Sequence, residues 1–77
     1  MPSMDICSII GTNIRKLRNG KKLSQEELAF KAEIDRSYLS EIENGYKNLS
    51  VVMLDQIATA LGVKITQLFA GYRGEER

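Results

Sequence analysis

The sequence predicts a small all-α protein. Apolar residues recur at helical spacing, glycines and capping residues separate the periodic segments, and no stretch alternates as a strand would. A length of 77 residues fits a single domain over residues 1–77 with one compact core. The expected architecture is five helices joined by short connections.

The first predicted helix runs from Ile6 to Gly20. Its apolar side chains recur at three- and four-residue steps, at Ile6, Ile10, Ile14 and Leu17. Gly20 is expected to close this helix. Residues 1–4 are interpreted as a loose leader, in which Met4 is an alternative to Met1 as the start.

Capping residues predict the next two helices. Ser24 with Glu27 forms a capping box at the start of the second helix, which ends near Glu33. Asp35 caps a short third helix, and Gly45 suits the left-handed position after its end. Because the turn between them has only about three residues, the two helices are expected to cross steeply.

The last two predicted helices are bounded by similar signals. Ser50 caps the fourth helix, which stops at Gly62. A short fifth helix is predicted from Lys64 to Ala70, although lysine is a poor cap. Residues 72–77 are interpreted as a frayed tail.

Composition argues against several classes of function. The chain has no histidine and one cysteine, Cys7, so neither an internal disulfide nor a zinc-binding cysteine cluster can form. No paired nucleophile and base or phosphate-binding glycine loop appears, and we expect no enzymatic activity, metal or cofactor. No apolar run could cross a bilayer and no secretory signal is visible, so a cytoplasmic location without a membrane partner is expected.

Charge is distributed unevenly, although the net charge is only +1. Basic residues cluster within one short stretch, at Arg15, Lys16, Arg18, Lys21 and Lys22. Such a run is usually a solvated helix face, and it becomes a candidate for phosphate binding only beside other evidence.

Three motifs together resemble the helix-turn-helix family of phage repressors and Cro-like regulators. They are residues 24–29 (SQEELA), 38–45 (YLSEIENG) and 58–63 (ATALGV). The resemblance covers roughly residues 10–69, with the helix-turn-helix unit at about 24–44, and implies a compact lambda-repressor-like domain. One departure is Glu33, where the family often has glycine in the turn. Because glutamate has a Cβ and glycine does not, either modest backbone strain or a slightly different turn is expected there.

Residues 35–38 (DRSY) and 48–50 (NLS) are similar to the controller proteins of restriction-modification systems. That resemblance implies a dimeric transcriptional regulator that times expression of the endonuclease relative to the methyltransferase. The resemblance to the helix-turn-helix family also implies an ion pair between Arg18 and Glu43 that holds the third helix at a fixed angle.

A helical wheel turns the polar side of the third helix outward when Leu39 and Ile42 face the core. This wheel places Ser37, Ser40, Glu41 and Asn44 outward and Arg36 at the flank of the first turn. The candidates for reading bases are Arg36, Ser37, Tyr38, Ser40 and Glu41, of which Tyr38 is expected to pack on the DNA backbone or a thymine methyl. An arginine can donate two hydrogen bonds to guanine, and a glutamate can accept one from cytosine N4 while opposing nearby phosphates. Without the surrounding motif, Arg36 would be read as a solvated surface charge.

Candidate phosphate ligands flank this helix. Gln25 lies in the first turn of the second helix, where backbone amides and the helix dipole favour an anion. Lys47 and Asn48 follow the third helix, and Lys22 belongs to the basic run.

One recognition helix covers only a few base pairs, so a homodimer on two half-sites of double-stranded operator DNA is expected. Apolar residues beyond the needs of a small core are its candidate interface, and core packing is their alternative role: Val52, Met53, Ile65 and Phe69. RNA polymerase is a further candidate partner.

Two other functions fit part of the sequence. An antitoxin uses the same DNA-binding fold but needs a toxin-binding segment, for which little sequence is left beyond the five helices. A protein-interaction bundle explains the amphipathic helices, but it does not explain the outward polar residues of the third helix.

Overall fold

A computed structural model describes residues 5–73. They form four α-helices, α1 (Ile6–Gly20), α2 (Gln25–Ala32), α3 (Arg36–Glu43) and α4 (Val51–Leu61), followed by a 3₁₀ helix (Ile65–Phe69). The described part contains no strand, which confirms the all-α prediction for it. The predicted leader at residues 1–4 and residues 74–77 of the predicted tail lie outside the described residues.

Three predicted side-chain caps start α2, α3 and α4. Ser24 Oγ accepts from the Glu27 amide at 3.0 Å, and the Glu27 carboxylate accepts from the Ser24 amide at 2.8 Å. Asp35 accepts from the backbone of the first turn of α3 at 3.2 Å, and Ser50 does the same for α4 at 3.0 Å. Each cap satisfies an amide that a helix start leaves unpaired, which contributes about 1 kcal/mol.

Two turns use left-handed backbone at residues other than glycine. Gly20 is the last residue of α1 and does not itself close it, because Lys22 takes the left-handed conformation, with φ of 60°. Glu33 follows α2 with φ of 61° and ψ of 41°. Of the two outcomes expected at Glu33, modest backbone strain therefore occurs. This left-handed conformation costs about 1 kcal/mol.

The fifth predicted helix is wrong in type and length. Ile65–Phe69 is a 3₁₀ helix, shorter at both ends than the predicted segment. Lys64 supplies no side-chain cap, and its own amide donates to the Gln67 side chain at 3.3 Å. A segment of this length has too few hydrogen bonds to favour α-helix over the tighter 3₁₀ form.

One hydrophobic core joins all five elements. Its buried apolar side chains are Ile10, Ile14, Leu28, Ala29, Ala32, Leu39, Ile42, Leu54, Ile57, Ala58, Leu61 and Leu68. Helix α3 packs against both α1 and α2, while α4 packs against α2 and the 3₁₀ helix. The three-residue turn Glu33–Asp35 thus leaves α3 braced by two helices. None of the described helices has the length and apolar character needed to cross a membrane.

Candidate nucleic-acid interface

Helix α3 has one fully buried side and one polar side. Leu39 and Ile42 are 0% exposed, which pins the helix to the core. Arg36, Ser37 and Glu41 are exposed on the other side. The helix therefore presents a guanidinium, a hydroxyl and a carboxylate to an approaching partner.

Two other predicted base-reading residues are less exposed. The half-buried ring of Tyr38 packs edge-on against Tyr46, with ring centroids 5.6 Å apart. Its hydroxyl donates to the Asn48 carbonyl at 3.4 Å. Ser40 is half-buried, and its backbone carbonyl accepts from the side-chain nitrogen of Asn44 at 2.9 Å. In the structure Tyr38 supports the loop after α3, and a base contact for it stays a prediction.

A buried carboxylate connects the first three helices. The Glu43 side chain is 0% exposed, and Arg18, whose side chain is 12% exposed, donates to both its oxygens at 2.7 and 3.0 Å. Gln25 donates to the same carboxylate at 3.0 Å, and Arg15 approaches it at 3.5 Å. The ion pair expected from the resemblance is present, with two additional donors that the sequence did not indicate.

This network keeps Glu43 ionised. Burial alone would raise the pKa of Glu43, but the hydrogen bonds from Arg18 and Gln25 outweigh that effect and lower the pKa below its ordinary value. The negative charge of Glu43 is thereby matched inside the protein by Arg18.

Gln25 is the first residue of α2, as the phosphate role requires. Its side-chain nitrogen is already bound to Glu43. An amide nitrogen carries two protons. A phosphate contact from this side chain would therefore use the second one.

The other predicted phosphate ligands lie at the surface. Lys47 has a side chain that is 71% exposed and forms an ion pair with Asp5, the N-cap of α1. The Lys47 ammonium and the Ser8 amide lower the pKa of Asp5 to about 2, and Asp5 in turn raises the pKa of Lys47. Asn48 and Lys22 are exposed.

The predicted dimer residues divide into two groups. Val52 is 70% exposed at the start of α4, beside Val51 at 74%. Met53, Ile65 and Phe69 are half-buried and pack against the core of their own chain. Their apolar character is largely explained by that packing, so the exposed surface at Val51 and Val52 is the stronger interface candidate.

Sequence reasoning missed Gly11, which sets the distance between α1 and α3. A Cβ at this position would lie 2.4 Å from the Ile42 carbonyl oxygen and 2.8 Å from that of Glu43. A signal was available, because a glycine inside a helical pattern usually needs a packing reason to offset its poor helix propensity.

Two further residues were also missed. Asn13 donates to the carbonyls of Leu68 and Ala70 at 2.9 Å each, which ties the end of the 3₁₀ helix to α1. Phe30 is 85% exposed on α2. The sequence did signal this exposure, because Phe30 lies off the apolar side of α2 that Leu28, Ala29 and Ala32 form. Nothing local indicated the contacts of Asn13.

Comparison with known proteins places this geometry in a family. A sequence model of the helix-turn-helix family, HTH_3, matches residues 14–68. The control protein C.MunI of a Mycoplasma species is 42% identical over 72 residues, which span 92% of this chain and 97% of that protein.

Solved structures agree in fold. The restriction-modification controller protein C.AhdI from Aeromonas hydrophila superposes with a TM-score of 0.79 at 43% identity, covering 82% of this chain and 96% of that one. SinR, a master regulator for biofilm formation solved in complex with DNA, has a TM-score of 0.72 at 38% identity, covering 77% of this chain and 95% of that one. The chain therefore belongs to the helix-turn-helix family and is similar to its restriction-modification controller proteins.

Proposed function

We propose that this protein is a sequence-specific DNA-binding transcriptional regulator that places α3 in the major groove of an operator. The observation that carries the proposal is the two-sided character of α3, with Leu39 and Ile42 fixed in the core and Arg36, Ser37 and Glu41 exposed. A major groove admits one α-helix, and a rigidly held helix can align its polar side chains with base edges.

Roles follow from the chemistry of each side chain. Arg36 reads guanine through two hydrogen bonds, and Glu41 accepts from cytosine while disfavouring loose binding to phosphates. Ser37 and Ser40 contact bases or phosphates of the DNA backbone. Lys47, Asn48, Lys22 and the start of α2 at Gln25 contact phosphates on either side of the groove and fix the register.

The regulator is proposed to be the controller protein of a restriction-modification system, acting in the cytoplasm. Its similarity to C.MunI spans nearly the full length of both chains, which supports this narrower function. The neighbouring open reading frames test it, because an endonuclease and a methyltransferase gene should lie beside the gene for a controller.

We expect Arg36→Ala to lose discrimination at one base-pair position in each half-site. The loss should be about 1–3 kcal/mol there, because one bidentate contact disappears. The operator is first selected from a random duplex library, and each variant is then titrated against the operator and its point substitutions. Lys47→Gln is the control, since losing a phosphate contact weakens all duplexes alike. Equal losses on operator and random DNA for Arg36→Ala would reject its assigned role.

A homodimer is proposed to supply the second half-site contact, with Val51 and Val52 at its interface. We expect Val52→Glu to weaken dimerisation by at least about tenfold, because an unpaired carboxylate would be buried against apolar surface. Sedimentation equilibrium measures the dissociation constant. Phe30→Glu is the matched control, because it adds the same charge at an exposed apolar position outside the proposed interface. An unchanged dissociation constant for Val52→Glu would mean that the interface lies elsewhere.

A further inference from the structure

The main chain of the loop after α3 is held at several points. Gly45 donates its amide to the Ile42 carbonyl at 3.0 Å, and Tyr46 donates to the Glu41 carbonyl at 2.9 Å. The ring of Tyr46 packs on Tyr38, as described above. The backbone that carries Lys47 is thus fixed relative to α3.

The side chain of Lys47 reaches from this fixed backbone to the start of α1. Its ammonium pairs with the Asp5 carboxylate, and the Cys7 thiol lies 3.9 Å from the Lys47 carbonyl. Both charged groups remain in contact with water, since the side chains of Lys47 and Asp5 are 71% and 47% exposed. A phosphate could therefore reach the ammonium without any opening of the core.

Asp5 has a second role, which does not require its charge. Its carboxylate caps α1 by accepting from the Ser8 amide at 2.9 Å. Asparagine caps helices as well as aspartate does. The hydrogen bond of the cap therefore does not require a negative charge at this position.

We propose that Asp5 is an internal competitor for the phosphate ligand Lys47 and so limits the sequence-independent affinity of the protein for DNA. In the unbound protein the Asp5 carboxylate pairs with the Lys47 ammonium, and this pair must break when the ammonium binds a phosphate. This inference rests on the proposed function, specifically on a phosphate contact by Lys47.

Asp5→Asn tests the proposal because it keeps the cap and removes the charge. We expect the variant to bind a short random-sequence duplex about two- to fivefold more tightly per protomer at low salt, the strength of an exposed ion pair. The gain should shrink as salt is added, because screening weakens the competing pair. Fluorescence anisotropy of the labelled duplex, titrated at several salt concentrations, measures both effects.

A double-mutant cycle separates competition from a general charge effect. In the Lys47→Gln background, Asp5→Asn should give only the small change seen with Asp55→Asn, a matched charge removal at an exposed position on α4. Thermal unfolding of Asp5→Asn should stay close to that of the parent, since the cap is conserved and an exposed ion pair contributes little to stability. An equal gain with and without Lys47 would overturn the competition.

The failure of this inference can be distinguished from failure of the proposed function. If Lys47→Gln weakens binding but Asp5→Asn changes nothing, the competition is refuted and the DNA-binding role stands. If the unaltered protein binds no duplex at low salt, the proposed function itself is refuted, and the inference with it.

Discussion

Glu43→Gln is expected to destabilise the protein by about 3 kcal/mol, because it leaves the Arg18 guanidinium without its counter-charge in a site that is nearly closed to water. The replacement has almost the same shape, so the loss would come from charge and hydrogen bonding. Urea unfolding at a fixed protein concentration measures the difference, since a dimer makes apparent stability depend on concentration.

Glu41→Gln is the matched control for this experiment. It makes the same chemical change two residues earlier on α3, at an exposed side chain, and should alter stability by less than about 0.5 kcal/mol.

The pH dependence of stability gives an independent check of the role of Glu43. Because folding lowers the pKa of Glu43, its contribution to stability is present above the pKa of the unfolded carboxylate and is lost as pH falls through the lower folded pKa. Glu43→Gln should lose that part of the acid dependence, and equal unfolding curves for Glu43→Gln and the parent would refute the role of the network.

Gly11→Ala should destabilise the protein by about 2 kcal/mol, although alanine is the better helix former. The new Cβ would lie 2.4 Å from a carbonyl oxygen of α3, so the two helices must separate. Overpacking of this kind typically costs about 1–3 kcal/mol. The gain of about 1 kcal/mol in helix propensity offsets only part of a backbone clash this close. Urea unfolding and duplex binding should both report the change, since α3 is displaced.

Gly20→Ala provides the comparison within the same helix. No atom of a neighbouring element lies within 4 Å of a Cβ at Gly20, and its backbone is not left-handed. Alanine should therefore be neutral or stabilise the protein by about 0.4–1 kcal/mol. If the two substitutions had the same effect, the close approach of α1 and α3 at Gly11 would not limit stability.

The sequence predicted those parts of the fold that local chemistry determines. The starts of α2, α3 and α4 depend on hydroxyl and carboxylate caps at Ser24, Asp35 and Ser50, which act within one turn. The sequence predicted a helix in the last segment but not its 3₁₀ type, and it did not reveal that Asn13, which lies 55 residues away from Leu68 in the chain, ties the end of this helix to α1. Such a tertiary contact leaves no local pattern.

The candidate site shows the same division. A helical wheel was sufficient to place Arg36, Ser37 and Glu41 on the exposed side of α3, because it requires only that Leu39 and Ile42 be buried. The contact of Gln25 with the buried carboxylate depends on the angle at which α2 crosses α3, and the pairing of Lys47 depends on where α1 begins. The spacing of residues along the chain predicts neither of these two contacts.

The anchored loop after α3 also affects the entropy of association. Tyr46 and the backbone bonds to α3 hold its main chain before any ligand is present, so the conformational entropy of the loop is lost during folding and not during binding. When a duplex docks, mainly the rotamers of long side chains such as Lys47 remain to be ordered. A preorganised surface of this kind favours rapid capture of DNA with little structural adjustment.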